Sequence, residues 1–121
     1  MLRKVAFTMY PVQNMERARR FYEKTLGLAP GSVSANGAWV EYDLPGGGCF
    51  AITTLAEEVK PSSDAGGKIA FEVEDLEALV KQLKLGGIQF KADLFSSPVC
   101  QMAIILDSEG NALTLHQITK K

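Results

Sequence analysis

A chain of 121 residues with 13 Lys and Arg against 14 Asp and Glu carries a formal charge of −1, so no surplus of either sign attracts a polyanion, and nucleic acid is not an expected partner. With 46% hydrophobic and 22% charged residues, the composition is that of a folded globular chain rather than a disordered one. The first residues, MLRKVAFTMY, hold too short an apolar run for a secretory signal, and no stretch approaches the ~20 residues that span a bilayer; no membrane partner and a cytoplasmic, reducing location are the expectation.

In chain order, Lys4 to Tyr10 reads as a strand ended by Pro11, which cannot donate to a ladder. Asn14 can cap a helix in which Met15, Ala18, Phe21, Tyr22 and Leu26 recur at spacings of three and four, a single buried stripe running to about Thr25 and stopping near Gly27. Short strands are expected around Gly31 to Ala35, at Ala38 to Asp43 and at Cys49 to Thr54, with Pro45 to Gly48 turning between the last two. That glycine run is not a phosphate loop, because no helix with a Lys-Ser/Thr motif follows it. A connector over 56–67, rich in Pro, Ser, Asp and Gly, argues against regular structure.

From Lys68 the order repeats. KIAFEVE alternates as a strand, Asp75 caps a second helix with Leu76, Leu79, Val80 and Leu83 on one face, and Gly86-Gly87 ends it. IQFKADLF, VCQMAIIL and NALTLHQI supply three more strands, with SEGN as the tight turn before the last. Placing Asn14 on Asp75 superposes the two halves at an offset of 61 residues, the signature of an internal repeat. Module one then spans about 4–55 and module two about 68–118, within one domain of 121 residues.

The helix ending RRFYEKTLGL, the strand-and-cap unit IAFEVEDLEA and the closing turn LDSEGNALTL, in this order, resemble the vicinal oxygen chelate superfamily, which includes glyoxalase I, bleomycin-resistance proteins and extradiol dioxygenases. The resemblance covers nearly the whole chain. It implies an α+β fold of two tandem βαβββ modules forming a half-closed curved mixed sheet with the helices outside, and a ligand cleft between the modules. Alternation supports the division into faces: Ile69, Phe71 and Val73 suit a surface beneath a helix, while Lys68, Ala70 and Glu72 lie on the other. By the offset, Phe7 and Met9 join the cleft face, with Thr8 and Tyr10 toward the helix. On the final strand Ala112, Thr114 and His116 share one face and Leu113 and Leu115 the other.

Metal-dependent relatives place a divalent ion in the cleft, using His or Gln on the first strand of a module and Glu on the last. Imidazole and carboxylate suit such ions, and open coordination positions accept two neighbouring substrate oxygens. Carried onto this chain, those positions fall on Phe7 and Lys68, on Thr114, and on either Phe50 or Ala51. Phenylalanine cannot coordinate, and a lysine ammonium repels a dication unless it is deprotonated. With one histidine in the chain, a His-rich site is excluded within it. No metal and no other cofactor is therefore expected, a divalent ion being the lesser alternative.

Several side chains admit two readings. His116, two residues past the missing glutamate, is a proton carrier or ligand anchor, or a structural histidine bonded to backbone. Glu72 pairs with Lys68 or His116 around a polar ligand, or stands at a wet cleft mouth. Lys68 touches ligand, or salt-bridges Glu72, or reaches solvent on its flexible stem. Trp39, Tyr42, Phe50 and Met102 wall the cleft or fill the core. Cys49 and Cys100, in the apolar contexts CFAI and VCQMAII without metal-binding spacing, read as free buried thiols; Cys100 lacks an identifiable base.

The leading expectation is a metal-free protein that binds a small, partly apolar molecule against Phe7, Met9, Lys68, Ala70, Glu72, Thr114 and His116. The alternative is a lyase, isomerase or dioxygenase of the same superfamily using His116 and Glu72 as catalytic acid and base, with or without an unorthodox metal. Exposed sheet edges in this architecture also lead us to expect a homodimer.

Overall fold

A computed structural model describes residues 1, 3–56, 59–65 and 67–119. The chain divides into two compact units, Met1–Pro61 and Ser62–Lys121. Each is a βαβββ module with its own four-stranded mixed sheet.

In module one, β1 (Thr8–Pro11) leads into α1 (Met15–Arg20) and then β2 (Pro30–Val33), β3 (Trp39–Asp43) and β4 (Cys49–Thr53). The sheet order is β1-β4-β3-β2, with β1 parallel to β4 and the remaining pairs antiparallel. The opening strand is shorter than its sequence suggests, residues 3–7 lying outside regular structure. Pro11, expected to end the strand, is its last member. The ladder tolerates it because β1 is an edge strand. Val12 N–H donates to Thr53 O at 2.9 Å, so by alternation the Pro11 nitrogen faces away from β4, where no donor is required.

Asn14 caps α1, its Oδ1 accepting from the Arg17 N–H at 2.9 Å. The expected helix extends to Thr25, but its second half, Phe21–Thr25, is a π-helical turn in which the Leu26 N–H reaches back to Phe21 O. Gly27 follows with φ +75°, the left-handed conformation that lets the Leu28 N–H close on Tyr22 O. Of the expected stripe Ala18, Phe21 and Tyr22 are buried, as are Tyr10, Val40, Tyr42, Phe50 and Ile52 of the sheet, while Met15 and Leu26 at its two ends are half-buried. The rings of Tyr22 and Phe50 lie 5.1 Å apart and those of Tyr10 and Phe50 5.4 Å apart, an aromatic core beneath the helix.

At the edge of this core the Tyr42 hydroxyl donates to Glu23 Oε2 at 2.9 Å, and Arg19 Nε donates to the same oxygen at 2.7 Å. Partial burial pushes the Glu23 carboxyl up, but the bonds from Arg19 and Tyr42 outweigh it and hold the group below the usual glutamate range. Burial, reinforced by the Glu23 carboxylate, pushes the Tyr42 phenol up. A carboxyl whose folded value lies below its unfolded one stabilises the fold above the unfolded value and loses that contribution as pH falls through the folded one. Glu23→Gln should therefore flatten the acid limb of a stability-versus-pH curve measured by urea unfolding; an unchanged limb would contradict this assignment.

Module two runs β5 (Ile69–Glu72), α2 (Leu76–Leu85), β6 (Phe90–Ser96), β7 (Cys100–Leu106) and β8 (Ala112–Ile118), in sheet order β5-β8-β7-β6. Asp75 caps α2 by accepting from the Ala78 N–H at 3.1 Å. Leu76, Val80 and Leu83 are buried, as are Ala103, Ile105, Leu113 and Leu115, so this core is aliphatic where the first is aromatic. The offset of 61 holds for the starts of β1 and β5, of α1 and α2, and of β3 and β7. It breaks at the last strands because β7 has seven residues where β3 has five.

The connector is described only in part, residues 57, 58 and 66 lying outside the described residues. Its described residues form no helix or strand, as expected. The segment Ser62–Asp64 is nonetheless anchored on module two: the Ser62 N–H donates to Asn111 Oδ1, and Lys91 Nζ bonds Ser63 O at 2.7 Å and Asp64 Oδ1 at 3.1 Å. Among the described residues no helix is long and apolar enough to cross a membrane.

Candidate functional site

Each sheet has one face under its helix and one free of it. In module two the ladder pairs Ala70 with Thr114, Glu72 with His116, Met102 with His116 and Ile104 with Thr114. Paired residues share a face, so these side chains stand together on the helix-free side. The neighbouring Gln117 points the other way, and its Oε1 accepts from the Leu76 N–H at the start of α2. Phe95, paired with Met102 and 40% exposed, extends the same helix-free face onto β6. An apolar surface of Ala70, Met102, Ile104 and Phe95 is thus interrupted by Thr114 and by one bonded pair, Glu72 with His116.

Two hydrogen bonds fix the Glu72 carboxylate. Glu72 Oε1 lies 2.5 Å from His116 Nδ1, and Oε2 accepts from the Ile118 N–H at 2.9 Å. The backbone bond from Ile118 and the bond from His116 hold the Glu72 carboxyl below the usual glutamate range. Of the two partners open to Glu72 from the sequence, the fold selects His116. Lys68, exposed and just ahead of β5, forms no ion pair with it.

In module one the equivalent face carries Met9, Ala51, Glu41, Trp39 and Thr53, read from the pairs Met9 with Ala51, Glu41 with Ala51 and Trp39 with Thr53. Phe7, just before β1 and 45% exposed, packs edge-on to Trp39 with ring centroids 5.1 Å apart. Trp39 Nε1 donates to Glu41 Oε2 at 2.8 Å. Tyr42 and Phe50, which had been possible cleft walls, belong to the core under α1, whereas Trp39 and Met102 are on the helix-free faces. The same alternation resolves the ambiguous ligand position: Ala51, third in β4 as Thr114 is third in β8, is its counterpart.

The four positions at which relatives carry metal ligands are therefore Phe7, Ala51, Lys68 and Thr114. Phe7 and Ala51 in module one and Lys68 and Thr114 in module two carry an aromatic ring, a methyl group, an ammonium and a hydroxyl, none of them an ordinary ligand of a divalent ion, and among the described residues no three His, Cys, Asp or Glu side chains gather into a group. Neither thiol compensates. Cys49 is pushed up by burial and by the Glu41 and Asp43 charges, and Cys100 is buried with its Sγ 3.1 Å from Ser97 Oγ. Both are free. The roles of Ile118 and Gln117 escaped the sequence reading, although alternation from His116 already sent Gln117 toward the helix.

The family model for the Glyoxalase/Bleomycin resistance protein/Dioxygenase superfamily matches residues 4–115. No curated protein matches the chain by sequence. Solved structures of similar fold include TnmS3, an antibiotic binding protein from Streptomyces sp. CB03234, at 21% identity and a TM-score of 0.83 over 98% of both chains. A glyoxalase/dioxygenase from Nostoc punctiforme is 18% identical with a TM-score of 0.80 over 98% of this chain and 92% of its own. A glyoxalase/bleomycin resistance protein from Streptomyces sp. CB03234 is 22% identical with a TM-score of 0.79 over 94% of this chain and all of its own, 100%.

Proposed function

Because the chain belongs to the Glyoxalase/Bleomycin resistance protein/Dioxygenase superfamily, we propose that it is a member that binds a small, partly apolar molecule without a metal ion. One observation carries the reading: the side chains at the four ligand positions, Phe7, Ala51, Lys68 and Thr114, offer a dication neither an imidazole nor a carboxylate. Each module's helix-free face suits an organic ligand instead. Binding surfaces for small molecules are mostly apolar with a few placed polar groups; module two offers Met102 and Ile104 with Thr114 and the Glu72–His116 pair, and module one offers Phe7, Met9 and Trp39. The antibiotic-binding protein of similar fold supports a ligand of that kind.

Calorimetric titration with a panel of amphipathic small molecules, antibiotics among them, tests the proposal. Binding of at least one compound is expected, with the same affinity in the presence and absence of EDTA. Affinity that collapses on chelation would overturn it.

The Glu72–His116 hydrogen bond favours a second reading, a lyase, isomerase or dioxygenase that uses the imidazole as a proton carrier and the carboxylate to orient it. Turnover of hemithioacetal or catechol substrates, abolished by His116→Phe, would establish that reading in place of the first. We further propose a homodimer, supported by the edge strand β2, exposed at all four residues from Pro30 to Val33. Sedimentation equilibrium should give twice the chain mass, and a monomer at micromolar concentration would contradict this.

A further inference from the structure

Within that reading of the helix-free face of module two, Glu72 and His116 have different jobs. β5 stops at Glu72 while β8 runs on to Ile118, so the Ile118 N–H points where the neighbouring strand has ended. The Glu72 carboxylate supplies the missing acceptor through Oε2, at 2.9 Å, and presents Oε1 to His116 Nδ1. An ionised carboxylate only accepts hydrogen bonds. Nδ1 must then carry a proton, and in the neutral ring Nε2 is left with its lone pair. Among the described residues Nε2 has no partner. The half-buried imidazole stands beside Met102 and two residues from Thr114 on the same face.

We propose that Glu72 is a positioning residue that locks His116 as the Nδ1–H tautomer, and that His116 Nε2 consequently selects ligands presenting a hydroxyl or N–H over ethers or carbonyls of the same shape. A partner carboxylate at Nδ1 also makes Nε2 a better acceptor, as it does for imidazoles that bind metals or take protons. Discrimination arises because a ligand that lacks the donor leaves the ring nitrogen dry and unpaired. The inference rests on the function proposed above, but its first test needs no ligand.

The chain has a single histidine, so its ring nitrogens give one unambiguous pair of 15N resonances. In labelled protein, at a pH where the same resonances report a neutral ring, the wild type should show a protonated Nδ1 and a bare Nε2. In Glu72→Gln the lone amide oxygen is drawn to the Ile118 N–H, which turns the amide NH2 toward Nδ1 and drives the ring proton to Nε2. The tautomer should therefore invert, with the dispersed backbone spectrum unchanged. A wild-type ring protonated on Nε2 overturns the proposal, and that result stands even if the variant does not fold.

The second arm compares 2-naphthol with 2-methoxynaphthalene, which share a flat apolar body and differ in the donor. Wild type should bind the naphthol about tenfold more tightly, the worth of one hydrogen bond, with shifts at His116 Nε2 and at the amides of Met102, Ile104 and Thr114. Glu72→Gln should lose that preference. Equal affinities in the wild type overturn the selectivity while leaving the binding function intact, whereas the absence of shifts on this face with either probe counts against both.

Discussion

Phe50→Ala is expected to cost about 3–5 kcal/mol, the range for deleting a fully buried aromatic side chain. Phe50 is completely buried on β4 and lies within ring contact of Tyr10, Tyr22 and Tyr42. The substitution removes apolar area and three ring contacts, and the surrounding tyrosines cannot collapse into the gap. Tyr42 is tethered to Glu23, and Tyr22 sits in the π-helical turn. Small domains have only about 5–15 kcal/mol to lose, so urea unfolding should show a large drop in midpoint, with hydrogen exchange accelerating first in α1 and β4. A loss below about 1.5 kcal/mol, typical of tolerated hydrophobic swaps, would mean that the aromatic cluster is not the core of module one.

Asp107→Ala is expected to cost about 2–4 kcal/mol, although it deletes only a carboxylate from a turn. Asp107 and Asn111 are both buried. The carboxylate accepts from the Glu109 and Asn111 N–H groups, each at 2.8 Å, and from Asn111 Nδ2 at 3.0 Å. Bonds to a charged acceptor contribute more than neutral ones, and stranding their donors costs the desolvation of each, so the loss approaches that of a large core truncation even after non-additivity. Asn111 in turn holds the Ser62 N–H. Amide exchange should therefore quicken at Ser62–Asp64 as well as in the turn, and exchange confined to the turn would break the proposed link to the connector.

Much of the architecture was readable because two periodicities agree. The period-two alternation of IAFEVE and NALTLHQI assigns faces, and the helical stripes around Ala18 and Val80 say which face is covered. Alternation groups Lys68, Ala70 and Glu72 on one strand face and Thr114 and His116 on another, the repeat offset adds Phe7 and Met9, and the resemblance to the superfamily is what makes those faces a ligand surface. What alternation does not contain is where pairing begins and ends. The strand expected from Lys4 starts at Thr8, Pro11 survives inside β1 because its nitrogen faces the open edge, and the stretch from Phe21 widens into a π turn. Those outcomes depend on ladder geometry and on tertiary packing, which local pattern does not record.

The candidate site illustrates the same limit. The face of Glu72 followed from the strand pattern, but its choice of His116 over Lys68 followed from a length mismatch between β5 and β8 that leaves the Ile118 N–H seeking an acceptor. Likewise the choice between Phe50 and Ala51 could not be made across a glycine run whose alignment slips by one residue. The register of β4 against β1 makes it. Lys91, unremarkable in the sequence, turns out to fasten part of the connector through Ser63 and Asp64, a contact of high sequence separation that no local motif announces.

The proposed function requires that Phe7, Ala51, Lys68 and Thr114 hold no dication in this chain. Native mass spectrometry of the protein after incubation with Zn, Ni, Mn and Fe(II), followed by desalting, addresses it directly. The mass of the bare polypeptide is expected in every case. A stoichiometric ion that survives desalting would contradict it.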